Sequence, residues 1–201
     1  GIVKSLVQGE SIVVNSLCFP SQFGCTQDVP NYDYNPEKAK KLLAEAGYPN
    51  GFEIPFLAYR NRDYAEAMIN NLNAVGIKAK LEYLKYAAFR DKVQSGGSPF
   101  NFGTWGSYSI NDVSAITSHF QSGGKDDYSK DPEVIKQLGI GDTSVDANVR
   151  KAAYKAALSR ITGEVFMFPL WSYNTWYAFS KDVDFNPTPD EIPRFFTAKW
   201  M

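Results

Sequence analysis

The chain has a single histidine, His119, which limits the chemistry its residues can perform. A Ser-His-Asp set or a histidine-rich metal centre would have to be assembled around that one imidazole. No stretch reads G-x-S-x-G, a phosphate-binding Gly-Lys-Ser/Thr loop or G-x-G-x-x-G. The adjacent carboxylates Asp126 and Asp127 are an acid–base pair in principle. In the run G-G-K-D-D-Y-S-K-D-P (residues 123–132), however, they read as solvated loop charges, and His119 reads as a structural or surface residue. No catalytic residue, metal ligand or cofactor is therefore expected. A carboxylate-based hydrolase is the reading from another functional class, and a scaffold domain without a ligand is a third.

The two cysteines, Cys18 and Cys25, lie seven positions apart. In an oxidising compartment that spacing closes a small loop; elsewhere it leaves two free thiols. Without a neighbouring histidine or further cysteines it makes a poor zinc site.

More promising are aromatic and polar residues placed where strands end, since open α/β layers meet their ligands in loops at strand termini. Trp105, Tyr108 and Asn111 lie in one such loop (residues 105–112), just past a short predicted strand. Trp171, Tyr173 and Asn174 follow Pro169-Leu170 in the same manner. Their rings offer apolar walls and their polar tips hydrogen bonds. The plainer reading makes Trp171 and Trp176 core residues of the last two strands. Phe19 and Phe23, beside the cysteines, are weaker candidates for a hinge or rim.

The elements that must position these residues are marked in the sequence. Asn35 and Pro36 open a helix over 36–46, with Ala39, Leu42, Leu43 and Ala46 as its apolar stripe, Gly47 as its stop and Pro49 forbidding continuation. Residues 52–59 alternate as a strand, and Pro55 assigns it to an edge. A helix over 63–74 presents Ala67, Met68, Leu72 and Val75, and stops at Gly76. In the strand 77–84, Ile77, Ala79, Leu81 and Tyr83 share one face. A helix over 87–94, a strand over 100–105 and two further helices follow. The longer of these, over 145–163, has Val149, Ala152, Ala153, Ala156, Ala157 and Ile161 as its stripe. Strands near 166–171 and 176–181 close the chain. Helices alternating with strands indicate an α/β layer.

At 201 residues the chain is long enough for a substantial core, as one large domain or two small ones. Its 44% hydrophobic and 21% charged residues are those of a globular protein, and 15% aromatics is high. A net charge of −1 without basic clusters argues against nucleic acid. No apolar run approaches the roughly 20 residues of a membrane span. The chain opens at Gly1-Ile2-Val3-Lys4 without a leader, so any export signal is expected to have been removed or to lie further upstream.

The wording of the first helix, Y-N-P-E-K-A-K-K-L-L-A-E-A-G-Y-P-N-G-F (residues 34–52), resembles a signature of extracytoplasmic solute-binding proteins of the dipeptide and oligopeptide ABC-importer type, bacterial solute-binding family 5. N-N-L-N-A-V-G-I-K-A-K-L-E (70–82), F-N-F-G-T-W-G (100–106), V-F-M-F-P-L-W-S-Y-N-T-W-Y-A-F-S-K-D-V (165–183) and I-P-R-F-F-T-A-K-W (192–200) resemble the same family in order and spacing. The resemblance implies an α/β fold: one lobe of a periplasmic-binding-protein-like type II fold, with a mixed sheet flanked by helices. Family members have two lobes, so residues 1–201 are expected to be a single C-terminal lobe excised or truncated from a longer protein, with 1–34 as a hinge-proximal segment. The implied role is capture of a peptide or small solute outside the cytoplasm for an ABC permease, by a monomer that is not an enzyme. In peptide-binding relatives an Asp three positions after the loop tryptophan pairs with the ligand's α-amino group. Tyr108 stands there here, and a phenol supplies no such charge. Asn111 or Asp112 is left to compensate; otherwise the cargo is an oligosaccharide, an opine-like conjugate or a metal chelate.

Overall fold

A computed structural model describes residues 1–7, 9–106, 110–188 and 192–201. The chain divides into two compact units, Gly1–Val7 with Asn31–Thr104, and Gln8–Pro30 with Trp105–Met201.

The first unit holds a short helix α1 (Ile2–Ser5), α2 (Pro36–Glu45), β1 (Phe52–Ala58), α3 (Arg62–Asn73), β2 (Ile77–Tyr83), α4 (Tyr86–Gln94) and β3 (Asn101–Phe102). Its three strands form a parallel sheet in the order β2-β1-β3. Because β2 and β3 flank β1 on opposite sides, right-handed crossovers place α3 and α4 on opposite faces. The centre of β1 is accordingly covered on both, with Phe56, Leu57 and Ala58 all buried. Leu57 packs with Phe89 and Val93 of α4.

Pro55 therefore lies in the central strand and not at the expected edge. Leu57 N–H donates to the Phe100 carbonyl at 3.0 Å, toward β3. Residue 55, two positions earlier, faces the same side, but β3 pairs only with Leu57 and Ala58. The missing proline N–H thus points where no strand needs it.

The caps of α2 are as expected: Asn35 Oδ1 accepts from Lys38 N at 2.9 Å, Pro36 opens the helix and Gly47 takes φ 89°. Its apolar stripe is not buried, and Leu42 remains 52% exposed. In α3 the buried residues are Tyr64, Ala65 and Ile69, while Ala67, Met68, Leu72 and Val75 are only half-buried. That helix is rolled so that Tyr64 reaches the Leu6 carbonyl at 3.4 Å.

The second unit is mainly helical: α5 (Ser114–Phe120), α6 (Pro132–Thr143) and α7 (Ala147–Gly163). It also carries an antiparallel pair, β4 (Val183–Asp184) and β5 (Lys199–Trp200). Its core joins Leu17, Cys18, Val113, Val134, Leu138, Tyr154, Ala157, Leu158 and Ile161. Among the described residues three α-helices thus follow β3, where two were expected. The buried face of α7 is Ala153, Tyr154, Ala157, Leu158, Ile161 and Thr162, whereas Val149, Ala152 and Ala156 are exposed. The expected stripe is off by about one position because Tyr154, the largest fully buried side chain, defines the inward face. Its ring lies between two glycines: a Cβ on Gly24 or on Gly141 would come within 2.5 Å of it.

Expected strands at 166–171 and 176–181 are absent. A single antiparallel bridge, Val13 with Trp171, stands in the first region, where Pro169 lacks an N–H. Trp176 is 75% exposed and so is not core.

Asp131 couples α6 to α7. Its carboxylate caps α6 by accepting from Glu133 N and Val134 N, and receives Arg160 Nε and Nη2 at 2.8 and 2.7 Å. The Arg160 hydrogen bonds, followed by that of Val134 N–H, hold its pKa at about 2. A carboxyl depressed below its unfolded value near 4 stabilises the fold above that value and loses the contribution as pH falls toward 2. Thermal melts between pH 5 and pH 2 should therefore show a steeper loss in the native chain than in Asp131→Asn. Gly141→Ala drives a methyl into the Tyr154 ring and should cost about 1–3 kcal/mol in denaturant unfolding.

Candidate functional site

The segment that begins at Trp105 ends in a set of tertiary contacts. Asp112 Oδ2 receives Arg150 Nη2 at 2.8 Å, and Asp112 Oδ1 accepts from Ser114 N at 3.0 Å at the start of α5. Arg150 also donates through Nε to the Gly141 carbonyl at 2.9 Å and through Nη2 to the Tyr154 oxygen at 3.0 Å. Its guanidinium lies 4.6 Å from the centroid of the Phe23 ring. The Tyr154 hydroxyl donates in turn to Asp142 Oδ1 at 2.8 Å. Desolvation by burial pushes the Tyr154 pKa up to about 12, so the phenol remains a donor near neutral pH.

The cysteine loop supports the same segment from the other side. Cys18 and Cys25 form a disulfide. Within the loop it closes, Phe23 N–H donates to the Asn111 carbonyl at 3.0 Å and the Phe23 carbonyl accepts from Val113 N–H at 3.0 Å, a parallel bridge. Gln22 Nε2 reaches the Ile110 carbonyl at 3.4 Å, and its Oε1 accepts from Phe19 N at 2.9 Å. Phe23 is thus a support of the loop, and Phe19 is 38% exposed.

Trp105 is half-buried and stacks on His119, with ring centroids 4.3 Å apart and planes 27° apart. Phe120 meets the indole edge-on at 5.0 Å. Tyr108 lies outside the described residues. Asn111 keeps its side chain exposed while its backbone carbonyl holds Phe23. Asp112 does not act as the free carboxylate that the Tyr108 departure left open, because Arg150 and the Ser114 N–H occupy its oxygens.

Trp171, Tyr173 and Asn174 form a second group along residues 9–14. Trp171 meets Tyr173 edge-on at 6.2 Å, and Tyr173 is 40% exposed. Ser172 N donates to the Ile12 carbonyl at 2.9 Å. Asn174 lies so close to Gly9 that a Cβ there would fall 2.1 Å from its Nδ2. A hollow of about 390 Å³ in the first unit, lined by Leu43, Pro49 and Asn73 among others, contains none of the expected site residues.

His119 takes the structural place expected of it, whereas the paired carboxylates differ from expectation. His119 Nε2 stands 3.3 Å from Asp126 Oδ2, and the Asp126 side chain is 7% exposed. Asp127, 1% exposed, accepts from Gly123 N, Ser129 Oγ and Lys130 N. These are not solvated charges. Asp127 holds the turn between α5 and α6 with its oxygens satisfied by local donors, while Asp126 faces His119.

A parallel sheet flanked by helices is the α/β arrangement of one lobe of the periplasmic-binding-protein type II class. The chain belongs to the family described as bacterial extracellular solute-binding proteins, family 5, whose middle-region model matches residues 1–127. It is 37% identical over 100 residues to the dipeptide-binding protein of Escherichia coli K12, covering 43% of this chain and 19% of that protein. It is 31% identical over 103 residues to heme-binding protein A of Haemophilus influenzae, covering 47% and 19%. The solved structure of HbpA2 from Haemophilus parasuis superposes with a TM-score of 0.85 and 26% identity, covering 100% of this chain and 42% of that one. The chain thus spans about two fifths of that protein's length. The first two of these relatives are named as binding proteins, one for a dipeptide and one for heme.

Removing the disulfide with Cys18→Ala/Cys25→Ala should cost about 2 kcal/mol, as expected for a short closed loop. Hydrogen exchange should locate the loss, with the Phe23 and Val113 amides losing protection first.

Proposed function

We propose that residues 1–201 act as the C-terminal ligand-binding lobe of an extracytoplasmic solute receptor serving an ABC importer, with 1–34 as its hinge-proximal segment. One observation carries the reading: a solved family member more than twice as long matches this chain along its whole length. In such a receptor the lobe supplies half of a pocket, and ligand stabilises the closed form that a permease recognises. Trp105, Tyr108, Asn111, Trp171, Tyr173 and Asn174 are its ligand-facing residues, and no catalytic step is involved. The receptor works as a monomer, and the disulfide suits an oxidising extracytoplasmic compartment.

For the cargo, a peptide or related small solute agrees with the dipeptide-binding relative. The Asp112–Arg150 pair favours a second reading. With Tyr108 in place of a carboxylate and Asp112 already paired, the loop suits a solute without a free α-amino group, such as an opine-like conjugate, an oligosaccharide or a metal chelate.

Calorimetric titration of the longer parent protein with dipeptides, a mannose-derived opine and heme should give saturable binding of one class. The 201-residue chain alone should bind that solute on the order of 100-fold more weakly or not at all, because half the burial is missing. Tight binding by this chain alone, or turnover of any solute, would overturn the proposal.

A further inference from the structure

We infer that His119, backed by Asp126, positions the Trp105 indole and makes its seating respond to pH. The consequence for ligand capture rests on reading the 105–112 loop as ligand-facing; the coupling itself does not. Trp105 opens that loop, and its ring plane is set by the stack on His119 at 4.3 Å. Phe120 closes the corner, edge-on to both rings, at 5.0 Å from Trp105 and 4.5 Å from His119. His119 lies in the last turn of α5, where the free carbonyls favour a cation. Its Nε2 is 3.3 Å from Asp126 Oδ2. Asp126 in turn belongs to the turn that Asp127 fixes through Gly123 N, Ser129 Oγ and Lys130 N. The imidazole is thus held from behind by an anchored carboxylate while its face carries the indole.

Imidazole is the ordinary side chain that changes charge between pH 5 and 8. Protonated, His119 makes a charge-assisted contact with Asp126 and places a cation on the indole face. Deprotonated, it keeps the stack and loses both attractions. On α6, Glu133 holds Lys136 and Gln137, and Asp142 receives Tyr154. Among the described residues, Asp126 is the charged group within ion-pair distance of His119.

The test uses tryptophan emission of the 201-residue chain between pH 8 and pH 5, with Trp105→Phe subtracted to isolate one indole of the four. An imidazolium in contact quenches indole emission. The Trp105 signal should therefore fall as pH drops, lose its pH dependence in His119→Gln and show a smaller amplitude in Asp126→Asn. Should His119→Gln unfold, His119→Phe keeps a stacked ring without a titrating group and carries the same expectation. A Trp105 signal that is flat with pH, or equally pH-dependent in the histidine variants, would overturn the inference. Failure of the parent to bind any solute would refute the proposed function and leave this emission result standing on its own.

Discussion

The ring of Tyr154 is the piece around which the second unit is arranged. It is fully buried, and glycines at 24 and 141 leave the space it occupies. Its oxygen donates to Asp142 and accepts from Arg150, whose guanidinium also takes Asp112 and lies over Phe23. One buried phenol thereby fixes the orientation of an arginine on α7, and that arginine fixes the end of the candidate ligand loop. A buried polar group stabilises a structure only when its partners are all present, so these residues form a unit whose members cannot be exchanged singly without cost.

Two further fastenings keep that unit in shape. Asp131 joins the start of α6 to α7 through Arg160, so the two helices cannot slide independently. The disulfide closes the loop that carries Phe23 and Gln22, whose backbone and amide contacts hold residues 110–113. Residues 110–113 thus rest on a covalently restrained anchor.

Local chemistry made much of the fold legible in the sequence. Asn35, Pro36 and Gly47 delimit α2, and the alternation over 77–83 gives β2, because caps and periodicity act between near neighbours. Helix roll was less legible: α3 and α7 turn inward through Tyr64 and Tyr154, aromatic residues whose hydroxyls gave no sign of burial until their partners were known. Of the candidate site, Trp105 and the Trp171–Tyr173 pair stand out in the sequence as aromatics, although the strand expected before Trp171 is absent. The Arg150–Asp112 latch was not, since 38 positions separate its members and neither lies in a motif. Asp127 was misjudged for a related reason, because its donors come from a turn whose shape no periodicity announces.

The segment between Trp105 and Asp112 is moored at both ends, by a histidine stack on one side and an arginine pair on the other. Short of Asp112, the backbone carbonyls of Ile110 and Asn111 are held by Gln22 and Phe23. Side-chain changes at 110 and 111 can therefore recut the surface of this stretch while its backbone contacts stay, as a key blade is recut without altering its bow.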